Sequence, residues 1–176
     1  MICITLLLLF YFNRFVRKRN NAENAFSTLD VYLQKRSDLI PDLARVARAY
    51  AEHEAQVLTR LTEKRADPSQ TADRSAKLKL ESDISERLYS LFATAESYPE
   101  LKSSSHYLEL QKGLREIEEN IAAARRTYNF AATDLNTSIQ SFPGLIFAAL
   151  FRFKDRPLFE ISHGERGKPD IQSILK

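Results

Sequence analysis

The chain has 176 residues, 44% of them hydrophobic and 28% charged, with a net charge of +3. That supplies one folded domain plus a short terminal segment and excludes wholesale disorder. A mildly basic balance with no Trp, no Gly-rich phosphate loop and no aromatic-plus-basic strand pattern gives no footing for nucleic-acid binding, and the lone Cys3 excludes an intrachain disulfide.

The chain opens "MICITLLLLFYFNRFVRKRN": eleven uncharged residues from Ile2 to Phe12, then Arg14, Arg17, Lys18 and Arg19. A cleaved signal is disfavoured, because the basic residues follow the apolar run and no small-residue cleavage site comes after it. Leu6–Phe12 is apolar all round, unlike a surface helix of a small bundle. The expectation is a membrane anchor over residues 1–16 that meets lipid through Ile2, Ile4, Leu6, Leu7, Leu8, Leu9, Phe10 and Phe12. As a helix reaching Val16 it covers about 22 Å, against a hydrocarbon core of about 30 Å, so a full span calls for residues upstream of Met1. The basic cluster places the following domain on the cytoplasmic side. The competing reading makes this segment the first core helix of a soluble protein.

Helical spacing continues through Ala22, Phe26, Leu29 and Leu33, with an expected end near Ser37 and a new start at Pro41. Leu43, Val46, Tyr50, His53, Val57 and Leu61 form the next seam, broken by "ADPSQTAD". Ile84, Leu88, Leu91, Ala95 and Tyr98 carry a third helix up to Pro99. The strongest signal is the fourth: Tyr107, Leu110, Leu114, Ile117, Ile121, Ala124, Tyr128, Ala131, Leu135, Ser138 and Phe142 alternate steps of three and four. Ser104 or Ser105 caps its start. Four Gly and six Pro leave room for long helices, so the fold class is all-α: an anchor helix continuing into an antiparallel bundle of three to four long helices with coiled-coil-like packing over residues 17–153. "LIFAALFRF" adds a short apolar helix that caps the bundle or touches lipid, and residues 154–176 read as an extended or mobile tail.

Candidate chemistry is sparse. Glu160 and His163 have di-iron spacing but occur once, in the tail; Glu52, His53 and Glu54 are adjacent and point apart; His106 and Glu109 make one pair and no cage. His53 reads best as a hydrogen-bonded core or boundary residue. No catalytic residue, metal or cofactor is expected. One polar stripe stands out. Gln111, Glu118 and Arg125 repeat every seven residues, and Asn129 and Asn136 continue the spacing one turn on, each one position beyond a seam residue. Such a stripe fixes register against polar groups of other helices (Asp30, Gln34, Arg36 and Asp42 are candidates), lines a surface for a partner, or is simply solvated.

Three segments resemble a known family. "VYLQKRSDLIPDLARVARAYAEHE" (Val31–Glu54), "YPELKSSSHYLELQKGLREIEENIAAARRTYN" (Tyr98–Asn129) and "SFPGLIFAALFRFKDRPLFE" (Ser141–Glu160) look like the ordered motifs of the LemA family, and the likeness runs over about Asn13–Glu160. The resemblance implies a single-pass bacterial membrane protein with a long-helix bundle and no established enzymatic activity. A second Tyr-Asn pair expected one heptad after Tyr128-Asn129 stands here as Leu135-Asn136, and the anchor is shorter than the family's usual one. The function expected is binding, as a scaffold or adaptor held at the membrane by lipid contact and engaging an unknown protein partner. The alternative is a membrane-associated enzyme, or a subunit of one, using the polar stripe.

Overall fold

The computed structural model describes residues 2–50 and 74–159, and every regular element among them is an α-helix. The helices are α1 (Ile2–Tyr50), α2 (Arg74–Ala95), α3 (Pro99–Ser103), α4 (Ser105–Gln140) and α5 (Gly144–Phe151). Glu52, His53, Glu54, Val57, Leu61, the "ADPSQTAD" break, Glu160 and His163 lie outside the described residues, as does the side chain of Ile4.

α1 and α4 are the long members, with 49 and 36 residues. At about 1.5 Å per residue they extend about 74 and 54 Å. They run antiparallel: Lys18 meets Asp134 toward one end, and Arg36 meets Glu118 further along. α2 instead runs in the same direction as α1, because the ion pairs Glu23–Arg74, Asp30–Lys77 and Arg36–Glu81 ascend together on both helices. An antiparallel arrangement therefore holds for α4 against the other two but not between α1 and α2.

The expected break between Ser37 and Pro41 is absent. α1 passes straight through, with Pro41 inside the helix. The ring removes the N–H that would reach the Ser37 carbonyl, and an interior proline costs about 3 kcal/mol. Ile40, Leu43 and Ala44 flank Pro41 and are all buried. Burying a residue of leucine size contributes about 1.5–3 kcal/mol, so local packing offsets the loss.

α4 begins where the Ser104 hydroxyl accepts the Tyr107 N–H. Its seam follows the expected positions through Tyr128 and then shifts: Ala132 and Ile139 are buried where Ala131 and Ser138 were expected, and Phe142 is exposed beyond the helix end. The steps from Tyr128 are four, three and four, nearer the true period of 3.6 than a strict heptad. A heptad series drifts about 20° per repeat on a straight helix, which is enough to hand the buried position to the next residue.

The core falls into three apolar clusters along the long axis. Ile40, Leu43, Leu88, Leu91 and Leu114 form one, Leu29, Leu33, Ile121 and Tyr128 the next, and Phe15, Leu135, Ile139 and Ala148 the third. Between the first two sits an ionic layer. Arg36 is fully buried, with 0% of its surface exposed. Its Nη1 donates to Glu118 Oε1 at 2.9 Å and to the Ser85 hydroxyl at 2.5 Å. Its Nη2 donates to the Glu81 carboxylate and to the Glu81 carbonyl at 3.1 Å. The Ser85 hydroxyl in turn donates to Glu118 Oε2 at 3.0 Å. One guanidinium thus faces two buried carboxylates. Burial pushes the Glu81 carboxyl above its ordinary value of 4.5, and the attraction of Arg36 pulls it back less than burial raises it.

Two tests follow from this packing. Leu114 and Ile121 are buried on either side of the ionic layer, so truncating either to Ala should lower unfolding stability by about 2–5 kcal/mol in urea titrations. Unchanged stability in both would mean the seam is exposed. In the ionic layer, Arg36→Leu strands two carboxylates and should cost about 3–5 kcal/mol, whereas replacing Arg36, Glu81 and Glu118 together by apolar residues should cost far less. The pH dependence has a definite sign. The folded Glu81 pKa lies above the unfolded one, so its proton favours folding. That contribution is complete below the unfolded value, about 4.5, and is lost as pH rises through the folded value. Glu81→Gln should therefore gain on wild type at pH 7 and lose that advantage as pH falls toward 4.5; a constant difference across that range would mean Glu81 does not titrate in this layer.

Candidate functional site

The polar stripe of α4 separates into parts with different surroundings. Gln111 is half-buried at the α3 end of the helix. Glu118 turns inward to Arg36 and Ser85. Arg125, Asn129 and Asn136 face a segment that was expected only as a tail. After α5 the chain reverses and residues 152–159 run back along α4 as a strap.

The two asparagines hold this strap by its backbone. Asn136 accepts the Arg156 N–H at 2.8 Å and donates to the Arg156 carbonyl at 2.8 Å. Asn129 accepts the Phe159 N–H at 2.8 Å and donates to the Phe159 carbonyl at 2.9 Å. Each amide acts as a peptide group would in a strand ladder. The spacing explains why it works. Seven helical residues rise about 10.5 Å, and three extended residues span about 10 Å, so the two grips fall in step. Pro157 supports the extended course, because a proline disfavours helical geometry at the residue before it, here Arg156. Tyr128 donates its hydroxyl to the Pro157 carbonyl at 2.6 Å, and Gln140 donates to Asp155 at 2.7 Å. Phe159 is buried in the middle apolar cluster, with the Arg125 guanidinium 5.5 Å from its ring centre.

At the opposite end of the strap α1, α4 and α5 meet. α5 folds back on α4 at Gly144, where a Cβ would come within 2.1 Å of the Ser138 carbonyl, so only glycine fits. An aromatic group pins α5 to α1: Tyr11 stacks on Phe147 with ring centres 4.6 Å apart, Phe12 meets Phe151 edge-on at 5.1 Å, and buried Phe15 leans on Phe153 at 5.2 Å. The outward faces remain bare. Leu6, Phe10, Leu145, Ile146 and Leu150 are 55–63% exposed, apart from none of their neighbours in character, since Leu7, Leu9 and Phe12 are exposed too. Leu8 and Tyr11 of that run are half-buried. α1 and α5 together therefore build one apolar tip. Arg14, Arg17, Arg19, Arg152 and Lys154, all exposed, border it as a basic collar.

No helix among the described residues is long and apolar enough to cross a membrane. The uncharged run ends at Phe12, and the same helix continues with Arg14, Arg17, Lys18 and Arg19. The expected single-pass span thus has no counterpart in α1. A cavity of about 290 Å³ opens beneath the tip, between α1, the end of α5 and the start of the strap. A second, of about 260 Å³, lies at the far end of the bundle between Asp42, Arg45, His106 and Glu109. Neither is lined by a stripe residue. Among the described residues no group of three or more His, Cys, Asp or Glu is placed to hold a metal ion.

Sequence reasoning located the apolar run, Arg36 and the stripe. It missed Glu81 as the second carboxylate on Arg36, Ser85 as a partner of Glu118, and the strap as partner of the asparagines. Pro157 within "DRPLFE" was the available signal that this segment is extended.

Comparison with known proteins follows the same outline. The model of the LemA family matches residues 25–172, which takes in the ionic layer, α5 and the strap. The chain is 27% identical over 173 residues to Protein LemA of Metamycoplasma hominis, covering 94% of this chain and 79% of that protein. It is 25% identical to Magnetosome protein MamQ 2 of Paramagnetospirillum magneticum, over 87% of this chain and 66% of that protein. It is 24% identical to Magnetosome protein MamQ of Magnetospirillum gryphiswaldense, over 86% of this chain and 65% of that protein. The chain therefore spans just under two thirds of the magnetosome relatives it matches.

The strap supplies a test of its own. Asn129→Ala leaves the Phe159 N–H and carbonyl without their described partners, and Asn136→Ala does the same at Arg156. Each should cost about 1–3 kcal/mol of stability and raise hydrogen exchange at residues 156–159. Exchange there equal to wild type in the double variant would mean the strap is held by Phe159 burial alone.

Proposed function

The chain belongs to the LemA family, and on that premise we propose that it is a bacterial membrane-associated helical bundle that works by binding: the apolar tip seats in the membrane surface and the bundle, on the cytoplasmic side, presents its outer faces to a protein partner. The observation that carries this reading is the convergence of two separate exposed apolar surfaces, from α1 and α5, at one end of the molecule. Contiguous exposed apolar patches mark interaction surfaces. A basic collar directly behind such a patch suits anionic headgroups, each near-surface cation contributing about 1 kcal/mol. Penetration by the tip, with α5 lying in the interface, needs no full span. The polar ladder of ion pairs and the strapped face of α4 stay in water under this arrangement. Acting by binding, without catalysis, fits a stripe in which Glu118 is engaged by Arg36, and Arg125, Asn129 and Asn136 by the strap.

The test is vesicle flotation of the full chain. Deleting residues through Phe15 would damage the fold, since Phe15 is fully buried, so substitution is the better probe. Replacing Leu6, Leu7, Leu9 and Phe10 by Gln should weaken membrane partitioning by at least about tenfold, given about 1.5–3 kcal/mol for each large side chain removed from an apolar setting. Replacing Leu145, Ile146 and Leu150 by Gln should weaken it independently. A chain carrying both sets that still floats like wild type would overturn the proposal.

A further inference from the structure

We propose that the cavity beneath the apolar tip is a binding site for the phosphate headgroup of an anionic phospholipid. The inference rests on the membrane-surface reading above and adds a specific ligand to it. The cavity holds about 290 Å³, at the lower end of the range for small-ligand sites. Its charged lining is wholly basic: Arg19 from α1, Arg152 from the end of α5, and Lys154 and Arg156 from the strap. Among the described residues no acidic side chain lines it. Arg156 already engages Glu23 at 2.7 Å, and Arg19 stands 5.7 Å from the Phe153 ring centre, so these two are held in place by contacts of their own. Arg152 and Lys154 are exposed at the mouth.

The remaining wall is aromatic. Phe12 and Phe151 pack edge-on and belong at once to the cavity and to the apolar tip. A ligand seated here meets cations at one end and an apolar wall leading to the membrane-facing surface at the other. That polarity fits an amphiphile with an anionic head, and a free phosphate would leave the aromatic wall unused.

The backbone adds an independent observation. Arg152 adopts a left-handed conformation, φ 57°, at the C-cap of α5. Glycine is the usual occupant of such a position, because any Cβ is strained there. Here the strained position carries a guanidinium at the cavity mouth, and strain of this kind gathers at ligand clamps. The strap, held by Asn136 at Arg156, fixes the other two cations at the same mouth.

The experiment is flotation of the full chain with phosphatidylcholine vesicles and with vesicles in which roughly a third of the lipid is phosphatidylglycerol. Three chains are compared: wild type, R152Q/K154Q, and R14Q/R17Q, which removes the same charge from the collar outside the cavity. Far-ultraviolet circular dichroism confirms that all three are folded. Wild type should prefer the anionic vesicles by about tenfold or more, and R152Q/K154Q should lose at least about tenfold more of that preference than R14Q/R17Q. Equal losses in the two variants would overturn the site, leaving diffuse surface attraction. Binding to both vesicle types without preference would overturn it while leaving the membrane-surface reading intact; no binding to either would sink that reading and this one with it. Inorganic phosphate at millimolar concentration should not compete, and full competition would identify the ligand as free phosphate, against the proposal.

Discussion

The arrangement of the long helices depends on one buried cation. Arg36 of α1 sits fully inside the bundle, and two other helices must bring it partners: Glu118 from α4, and Glu81 with Ser85 from α2. Apolar seams alone tolerate sliding, because one leucine fits another's place at little cost. A buried guanidinium does not, since a shift by one turn would leave it without acceptors at a cost of several kcal/mol. The layer lies between two apolar clusters and is the point at which α1, α2 and α4 agree on register. At Glu81 the cost of burying the carboxylate outweighs the attraction of Arg36, and its pKa stands above the ordinary value.

From that register the rest of α4 acquires its roles. With Glu118 turned inward, the residues seven and eleven positions on, Arg125 and Asn129, fall on the flank where the strap returns. The match between seven helical residues and three extended ones lets side-chain amides stand in for a neighbouring strand. The strap closes the groove beside Tyr128 and brings Phe159 into the core. It also carries Lys154 and Arg156 to the tip, so the fold of the bundle and the charge of the tip are linked through the same eight residues.

The tip itself joins two pieces of sequence more than a hundred residues apart. α1 supplies Leu6 to Phe12, and α5 supplies Leu145, Ile146 and Leu150. Neither is long enough to cross a bilayer, but side by side they make an apolar surface wider than either helix. The aromatic contacts between Tyr11, Phe12, Phe147 and Phe151 hold them together, and Gly144 permits the close turn that puts α5 there. Membership of the LemA family covers residues 25–172, so the strap and α5 belong to the shared outline.

What the sequence determined by itself was local and periodic. Apolar steps of three and four identified the helices, Ser104 marked the start of α4, and the uncharged run to Phe12 marked the apolar end, because each of these signals lies within a few turns of its own residues. The continuity of α1 through Pro41 was not legible, since proline's local cost is offset by Leu43 and Ala44 packing against partners far away in the chain. The drift of the α4 seam to Ala132 and Ile139 was not legible either, because a heptad template accumulates an angular error that only the neighbouring helix resolves. The stripe could be seen as heptad spacing, but its meaning could not. Glu118 and Asn129 look alike in sequence, as polar residues beside a seam. One meets a buried arginine and the other a backbone strand because α2 and the strap approach α4 from different sides, and that approach is decided by the packing of the whole chain.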